Sequence, residues 1–174
     1  SLSGPASRAL VAIGSQSSGK ALLNALSIVS NDKSKKDIIN AIAEMQVPES
    51  EGVLKALVGT GDENMQKTVL YALSRIGSKA SLPELATAAE KAGFIMEKTG
   101  ANEAYIALIK RVLAQDNIKD AEKAATDLMK KAQKAGQDQT REAALQILME
   151  IKPDEALKLL QTALKDPSLN YRNY

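Results

Sequence analysis

The stretch "TVLYALSRIG", Thr68 to Gly77, decides the fold. Its apolar residues Val69, Ala72, Leu73 and Ile76 recur at steps of three and four. That spacing collects them on one stripe of an α-helix and would scatter them over both faces of a strand. Moving toward the N-terminus, "DIINAIAEM" (Asp37 to Met45) repeats the arrangement with Ile38, Ala41, Ile42 and Met45. Moving the other way, "NIKDAEKAATDLMKKAQKAG" (Asn117 to Gly136) carries a longer stripe of Ile118, Ala121, Ala125, Leu128, Ala132 and Ala135. Lys119, Lys123, Asp127, Lys130 and Lys134 lie on its other side. No segment shows a convincing strand alternation. The composition agrees: 44% of residues are hydrophobic but only 3% aromatic, which suits helices built from Ala and Leu better than a sandwich or barrel.

The breaks between these stripes are short and polar. Asn31-Asp32, Gly59-Thr60-Gly61-Asp62 and Asp138 separate helices. Ser81 with Glu84 reads as a capping box, and Asp166-Pro167 reads as an N-cap with Pro in the first helical position. About ten helices result. Superposed on each other, they repeat. Ala9-Leu10-Ile13 returns as Ala41-Ile42-Met45, Ala72-Leu73-Ile76, Leu108-Ile109-Val112 and Ala144-Leu145-Leu148, at spacings of 32, 31, 36 and 36 residues. Each interval holds two helices and two turns. One such pair cannot bury its apolar stripes alone, whereas a row of pairs buries them against neighbours. The expectation is an all-α protein, an α-α superhelix of about five helix pairs, with residues 1–174 as a single repeat domain.

"RALVAIG" (Arg8 to Gly14), "YALSRIG" (Tyr71 to Gly77) and "REAALQILMEI" (Arg141 to Ile151) resemble the second-helix signatures of the HEAT-like repeats of the armadillo-type superhelix, in particular short bacterial units. The resemblance covers almost the whole chain and rests on recurrence. The sequence departs from the pattern in its longer later intervals and in "AGFIMEKTG" (Ala92 to Gly100). A tetratricopeptide array, with its period of about 34 residues, is the rival, but its W-x-x-L-G-x-x-Y pattern is absent from the sequence.

One motif points elsewhere. "GSQSSGKA", Gly14 to Ala21, fits all but the last position of the phosphate-binding loop G-x-x-x-x-G-K-[ST]. Such a loop must follow a buried strand and supply a hydroxyl to a magnesium ion. Here helical spacing precedes it, and Ala21 stands in place of the hydroxyl. Moreover Ile13–Leu22 aligns without gaps on Ile76–Leu85, so the stretch reads as an inter-repeat turn and no nucleotide is expected.

The remaining chemistry is sparse. The sequence has no Cys and no His, which removes thiol nucleophiles, Ser-His and Cys-His pairs and imidazole or thiolate metal sites. Neither a catalytic residue, a metal site nor a cofactor is assigned. The acidic pairs Glu49-Glu51, Asp62-Glu63 and Asp154-Glu155 open helices, where the helix dipole favours them. Lys130, Lys131 and Lys134 close one, with Asp127 placed to pair with Lys131. Phe94, Ile95 and Met96 follow Gly93, a helix terminator, and are read as folding back to plug the turn or extending the helix, with a hydrophobic contact for a partner as the alternative. Net charge is +2 and balanced along the chain, which disfavours nucleic acid as a partner. No apolar run approaches the roughly 20 residues of a membrane span, so the chain is expected to be soluble, with a secreted or periplasmic location open.

The resemblance implies that the second helices line a concave face. Just outside the buried stripe stand Arg8, Asn40, Tyr71 and Ala107 on one row, and Ala12, Glu44, Arg75 and Arg111 on the next. Arg8, Asn40, Tyr71, Arg75 and Arg111 are therefore the candidate binding residues, Tyr and Arg being side chains that interfaces favour. The expected function is a non-catalytic scaffold for a protein partner or for a neighbouring domain of the same chain, including service as an accessory module of a larger bacterial enzyme. "SLSGPASRALVAIG" opens with half a repeat and "DPSLNYRNY" closes on the start of one, which suggests a fragment. The alternative is a HEAT-like DNA-binding or glycosylase-type enzyme, which would want aromatics and a strongly basic groove.

Overall fold

A computed structural model describes residues 3–173. Eleven α-helices follow one another: α1 (Ser3–Ile13), α2 (Gln16–Ile28), α3 (Asp32–Met45), α4 (Glu51–Leu57), α5 (Glu63–Ile76), α6 (Leu82–Lys91), α7 (Ala101–Ala114), α8 (Ile118–Lys134), α9 (Asp138–Ile151), α10 (Ala156–Ala163) and α11 (Leu169–Asn173). No strand occurs among the described residues. The sequence count of about ten falls one short, and the last helix it expected, after Asp166-Pro167, is α11, which begins at Leu169. The chain termini themselves, Ser1, Leu2 and Tyr174, on which the reading of a fragment partly rests, lie outside the described residues.

The helices form two layers. The odd-numbered ones pack side by side in chain order, α1 on α3, α3 on α5, α5 on α7 and α7 on α9. The even-numbered ones pack mainly on their odd neighbours. This is the α-solenoid that the recurrence predicts, with the repeated signature on the odd layer. A single apolar cluster runs along the seam from Leu22 to Leu148. Val69, Ala72, Leu73 and Ile76 are all buried in it, as are Ile38, Ala41 and Ile42 of α3. Each fully buried aliphatic side chain contributes roughly 1.5–3 kcal/mol relative to exposure. In α8 the middle of the predicted stripe is buried, while Ile118 and Ala135 at its ends are exposed.

The joints repeat in register too. α1, α3 and α5 end at Ile13, Met45 and Ile76. Five residues on stand Ser18, Ser50 and Ser81, all buried, and nine residues on stand Leu22, Leu54 and Leu85, all buried against the seam. Ser50 donates to Val47 O at 2.6 Å. Ser81 donates to Glu51 Oε1 at 2.6 Å, and Ser78 N and Ser78 Oγ donate to the same oxygen at 2.8 and 3.0 Å. Lys55 adds a bond to Ala80 O at 2.6 Å and an ion pair with Glu84 at 3.1 Å. One side of α4 thus clamps the turn that follows α5. The capping box expected from Ser81 and Glu84 does not form, because Glu51 takes the Ser81 hydroxyl and Lys55 takes Glu84.

Near the C-terminus a polar cluster fastens α11 to α9. Arg141, at the register position filled by Ile38 and Val69 in earlier repeats, is buried. It donates to Asp138 at 2.7 Å and to both oxygens of Asp166, and its guanidinium lies 3.7 Å above the Tyr171 ring centroid. Ser168 Oγ accepts from Tyr171 N at 3.3 Å. Ser168 rather than Asp166 therefore caps α11, and Asp166 accepts from Ser168 N at 2.9 Å as an Asx turn.

Candidate binding surface

The apparent phosphate loop is a helix joint. Gly14 ends α1 with φ +64°, a left-handed conformation that glycine adopts without cost. Ser15 then caps α2, accepting from Ser18 N at 3.1 Å. The second glycine of the motif serves packing: a Cβ on Gly19 would meet Val47 Cγ2 at 3.2 Å. Lys20 is exposed on α2, and the element before the loop is a helix.

The other clusters resolve locally. Asp62 caps α5, accepting from Met65 N at 2.7 Å. Glu51 is the turn clamp described above. Burial pushes its carboxyl pKa up, but the hydrogens donated by Ser81 and Ser78, with Lys55 nearby, outweigh that and hold it below the usual value. Lys131 pairs with Glu90 of α6 at 2.5 Å rather than with Asp127. Phe94, Ile95 and Met96 divide. Phe94 folds back with φ +59° and is buried, its carbonyl accepting from Thr140 Oγ1 at 2.7 Å, while Met96 stays 74% exposed. Among the described residues no group of three acidic side chains is placed to hold a metal ion.

One groove gathers the candidate binding residues. It lies on the outward face of the odd layer, between α5 and α7, with a volume of about 610 Å³. Successive turns put Lys67, Tyr71 and Arg75 on one ridge of α5. Glu103, Ala107 and Arg111 form the matching ridge of α7, one repeat later in register. Tyr71 is 53% exposed along one side. Ala107 takes the equivalent position opposite, and its small side chain is what opens the cleft. Gln46, at the end of α3, and the segment 97–100 complete the lining.

Three of the five candidates, Tyr71, Arg75 and Arg111, meet in this groove. Arg8 and Asn40 are exposed on α1 and α3 but do not line it. Arg111 is half-buried, because its Nε donates to Gly77 O at 3.1 Å, past the end of α5. That bond leaves its terminal nitrogens for the groove. The side chains of Arg75 and Lys67 make no hydrogen bond or ion pair with any described residue.

The sequence reading missed Lys67, Lys98 and Glu103. Lys67 lies one turn before Tyr71 on the same ridge, so extending the row backward would have found it. Lys98 arrives with the long α6–α7 connection, whose signal was the 36-residue interval. Within that connection Glu97 accepts from Thr99 N at 2.8 Å, from Ala101 N at 3.3 Å and from the Thr99 hydroxyl. These bonds outweigh the opposing effect of burial and keep its carboxyl below the usual pKa. They also fix the segment as a wall.

Residues 19–104, from the first turn of α2 into the first turn of α7, match the family model of HEAT repeats. This chooses between the two repeat families considered from the sequence, and the matched segment contains the whole α5 ridge of the groove. Neither a curated protein nor a solved structure matches the chain.

Proposed function

Because the chain is a HEAT-like repeat stack, a type that generally serves as a protein-interaction scaffold, we propose that it is a non-catalytic scaffold whose odd-layer face receives a protein partner or an adjoining domain. The observation that carries this reading is the groove between α5 and α7. It sets an exposed tyrosine among guanidinium and ammonium groups, of which those of Arg75 and Lys67 make no bonds with described residues. Tyr and Arg dominate binding energy at interfaces, because they combine a large contact area with directed hydrogen bonds. In a rigid solenoid the seam already holds the backbone in place, so the side chains of the outward rows are available for recognition.

The face can be tested by photocrosslinking in extracts of the source cells. A photoreactive residue at Ala107, on the groove floor, is expected to capture a discrete protein. The same residue at Lys123, exposed on the even layer, is expected not to. Equal capture at both positions, or none at Ala107, would contradict the assignment of the face.

A further inference from the structure

Resting on that reading, we infer that the groove between α5 and α7 recognises an extended acidic peptide. The charge of its lining is lopsided. Lys67, Arg75, Lys98 and Arg111 face two carboxylates, Glu97 and Glu103. Glu97 is already committed to Thr99 and Ala101. Lys98 reaches Glu63 only at 3.8 Å, with both side chains largely exposed, a pairing worth little in water. Arg75 and Arg111 stand at the same register position of parallel neighbouring helices, and no carboxylate of the lining lies on the last turns beside them. Guanidiniums at equivalent positions on adjacent helices give that end of the groove a positive field that attracts an anion. A carboxylate suits them, since the planar fork accommodates its two oxygens.

The opposite end of the groove asks for something different. Glu103 Oε2 is buried and has no hydrogen-bond partner. A buried acceptor without a partner costs free energy, which is recovered when the half-buried side chain turns toward the groove and accepts from a ligand donor. Glu103 and Arg111 are eight residues apart on α7, or about 12 Å along the axis at 1.5 Å per residue. About four residues of extended chain span that distance, at about 3.3 Å each. A peptide can place a backbone N–H on Glu103 and a carboxylate side chain on Arg75 and Arg111. Between them an apolar side chain rests on Tyr71 and Ala107. Nucleic acid offers phosphates to the guanidiniums but would set a further negative charge against Glu103.

The test is a selection of twelve-residue peptides from a random phage-displayed library against the whole chain. Fluorescence anisotropy follows with the enriched peptides and with a labelled twenty-nucleotide single strand. The expected result is enrichment of peptides bearing Asp or Glu next to an apolar residue. Their affinity should fall by about tenfold or more in Arg75→Glu, as for loss of a charge-assisted hydrogen bond, and also in Tyr71→Ala. Both residues are exposed, and circular dichroism spectra matching the wild type would show that the fold persists. Enriched peptides that are neutral or basic, or that bind Arg75→Glu equally well, overturn the acidic specificity and leave the interaction face standing. Tighter binding of the oligonucleotide than of any peptide overturns it in favour of nucleic acid. Failure to enrich any peptide, together with no crosslink at Ala107, removes both readings.

Discussion

Replacing Leu73 with Ala tests the seam at its centre. Leu73 is 0% exposed, and α5 is flanked by α3 on one side and α7 on the other. Its register equivalents Ile42 and Ile109 are equally buried, so the substitution opens a void inside the seam rather than at its edge. The substitution removes three carbons, about 2.4 kcal/mol at about 0.8 kcal/mol per buried methylene. The cavity adds to this, and similar buried Leu→Ala changes span about 2–5 kcal/mol. A loss of about 3–4 kcal/mol is expected for Leu73→Ala. The assay is urea unfolding followed by circular dichroism, reading a lower midpoint at unchanged slope. Leu164, 63% exposed just past the end of α10, is the control, and its change to Ala should stay within about 0.5 kcal/mol. Should Leu73→Ala also cost less than about 0.5 kcal/mol, the side chain is not in the seam and the repeat register is wrong.

Other outcomes follow from the polar features. Glu51, Glu97, Asp138 and Asp166 all have carboxyl pKa values held below their usual range. For each, the unfolded chain binds the proton first, so their stabilisation is complete above the ordinary carboxylate range and lost as pH falls through and below it. Thermal midpoints should therefore drop steeply below about pH 4, and Glu51→Gln should flatten part of that slope; an unchanged acid limb would refute the clamp. Burial, aided by Asp127, pushes the Tyr105 hydroxyl up to about 12. The folded chain then keeps a proton that the unfolded chain loses near pH 10, so stability should decline from there upward, and Tyr105→Phe should lessen the decline. Arg141→Met should release α11 and raise hydrogen exchange at Tyr171 and Arg172 while α3 to α7 stay protected; uniform loss across the chain would contradict a local fastening. At Gly77 a Cβ would meet Leu73 O at 2.5 Å and Leu108 Cδ1 at 3.1 Å, so Gly77→Ala should cost about 1–3 kcal/mol in urea unfolding.

Periodicity made the layers legible in the sequence, because burial acts on every turn of every repeat. Val69, Leu73 and Ile76 could be read directly, and so could the turn nature of "GSQSSGKA" once it aligned with the next joint. What escaped were partnerships between residues distant in sequence. Ser81 looked like a local cap, yet the acceptor that captures its hydroxyl is Glu51, thirty residues earlier. Lys131 had Asp127 at helical spacing, yet Glu90 lies closer across the layer. Arg141 sat in an apolar register position, and only the return of Asp166 and Tyr171 explains how it is buried there. Of the candidate site, Tyr71, Arg75 and Arg111 emerged because they share rows on adjacent repeats. Arg8 and Asn40 share those rows too, and nothing in a one-dimensional pattern says where a row opens into a cleft.

The cleft opens where two departures from repeat regularity coincide. One is Ala107, small where Tyr71, Asn40 and Arg8 are long. The other is the extended α6–α7 connection, whose segment 97–100 supplies one wall. Neither alone would suffice: a small residue in a regular stack leaves a shallow dent, and a longer turn without it meets a filled face. Gly77 then ties this site to the seam. Its lack of a side chain admits Leu108, which sets how closely α7 approaches α5. Its carbonyl holds Arg111, which sets where the second guanidinium stands. Packing and the proposed recognition share that geometry at Gly77 but separate at Arg75, which touches the groove and whose side chain has no bonded partner among the described residues. Substitution at Gly77 must therefore alter stability and binding together, whereas substitution at Arg75 can alter binding alone. That is why Arg75 can report on the groove independently of the repeat stack.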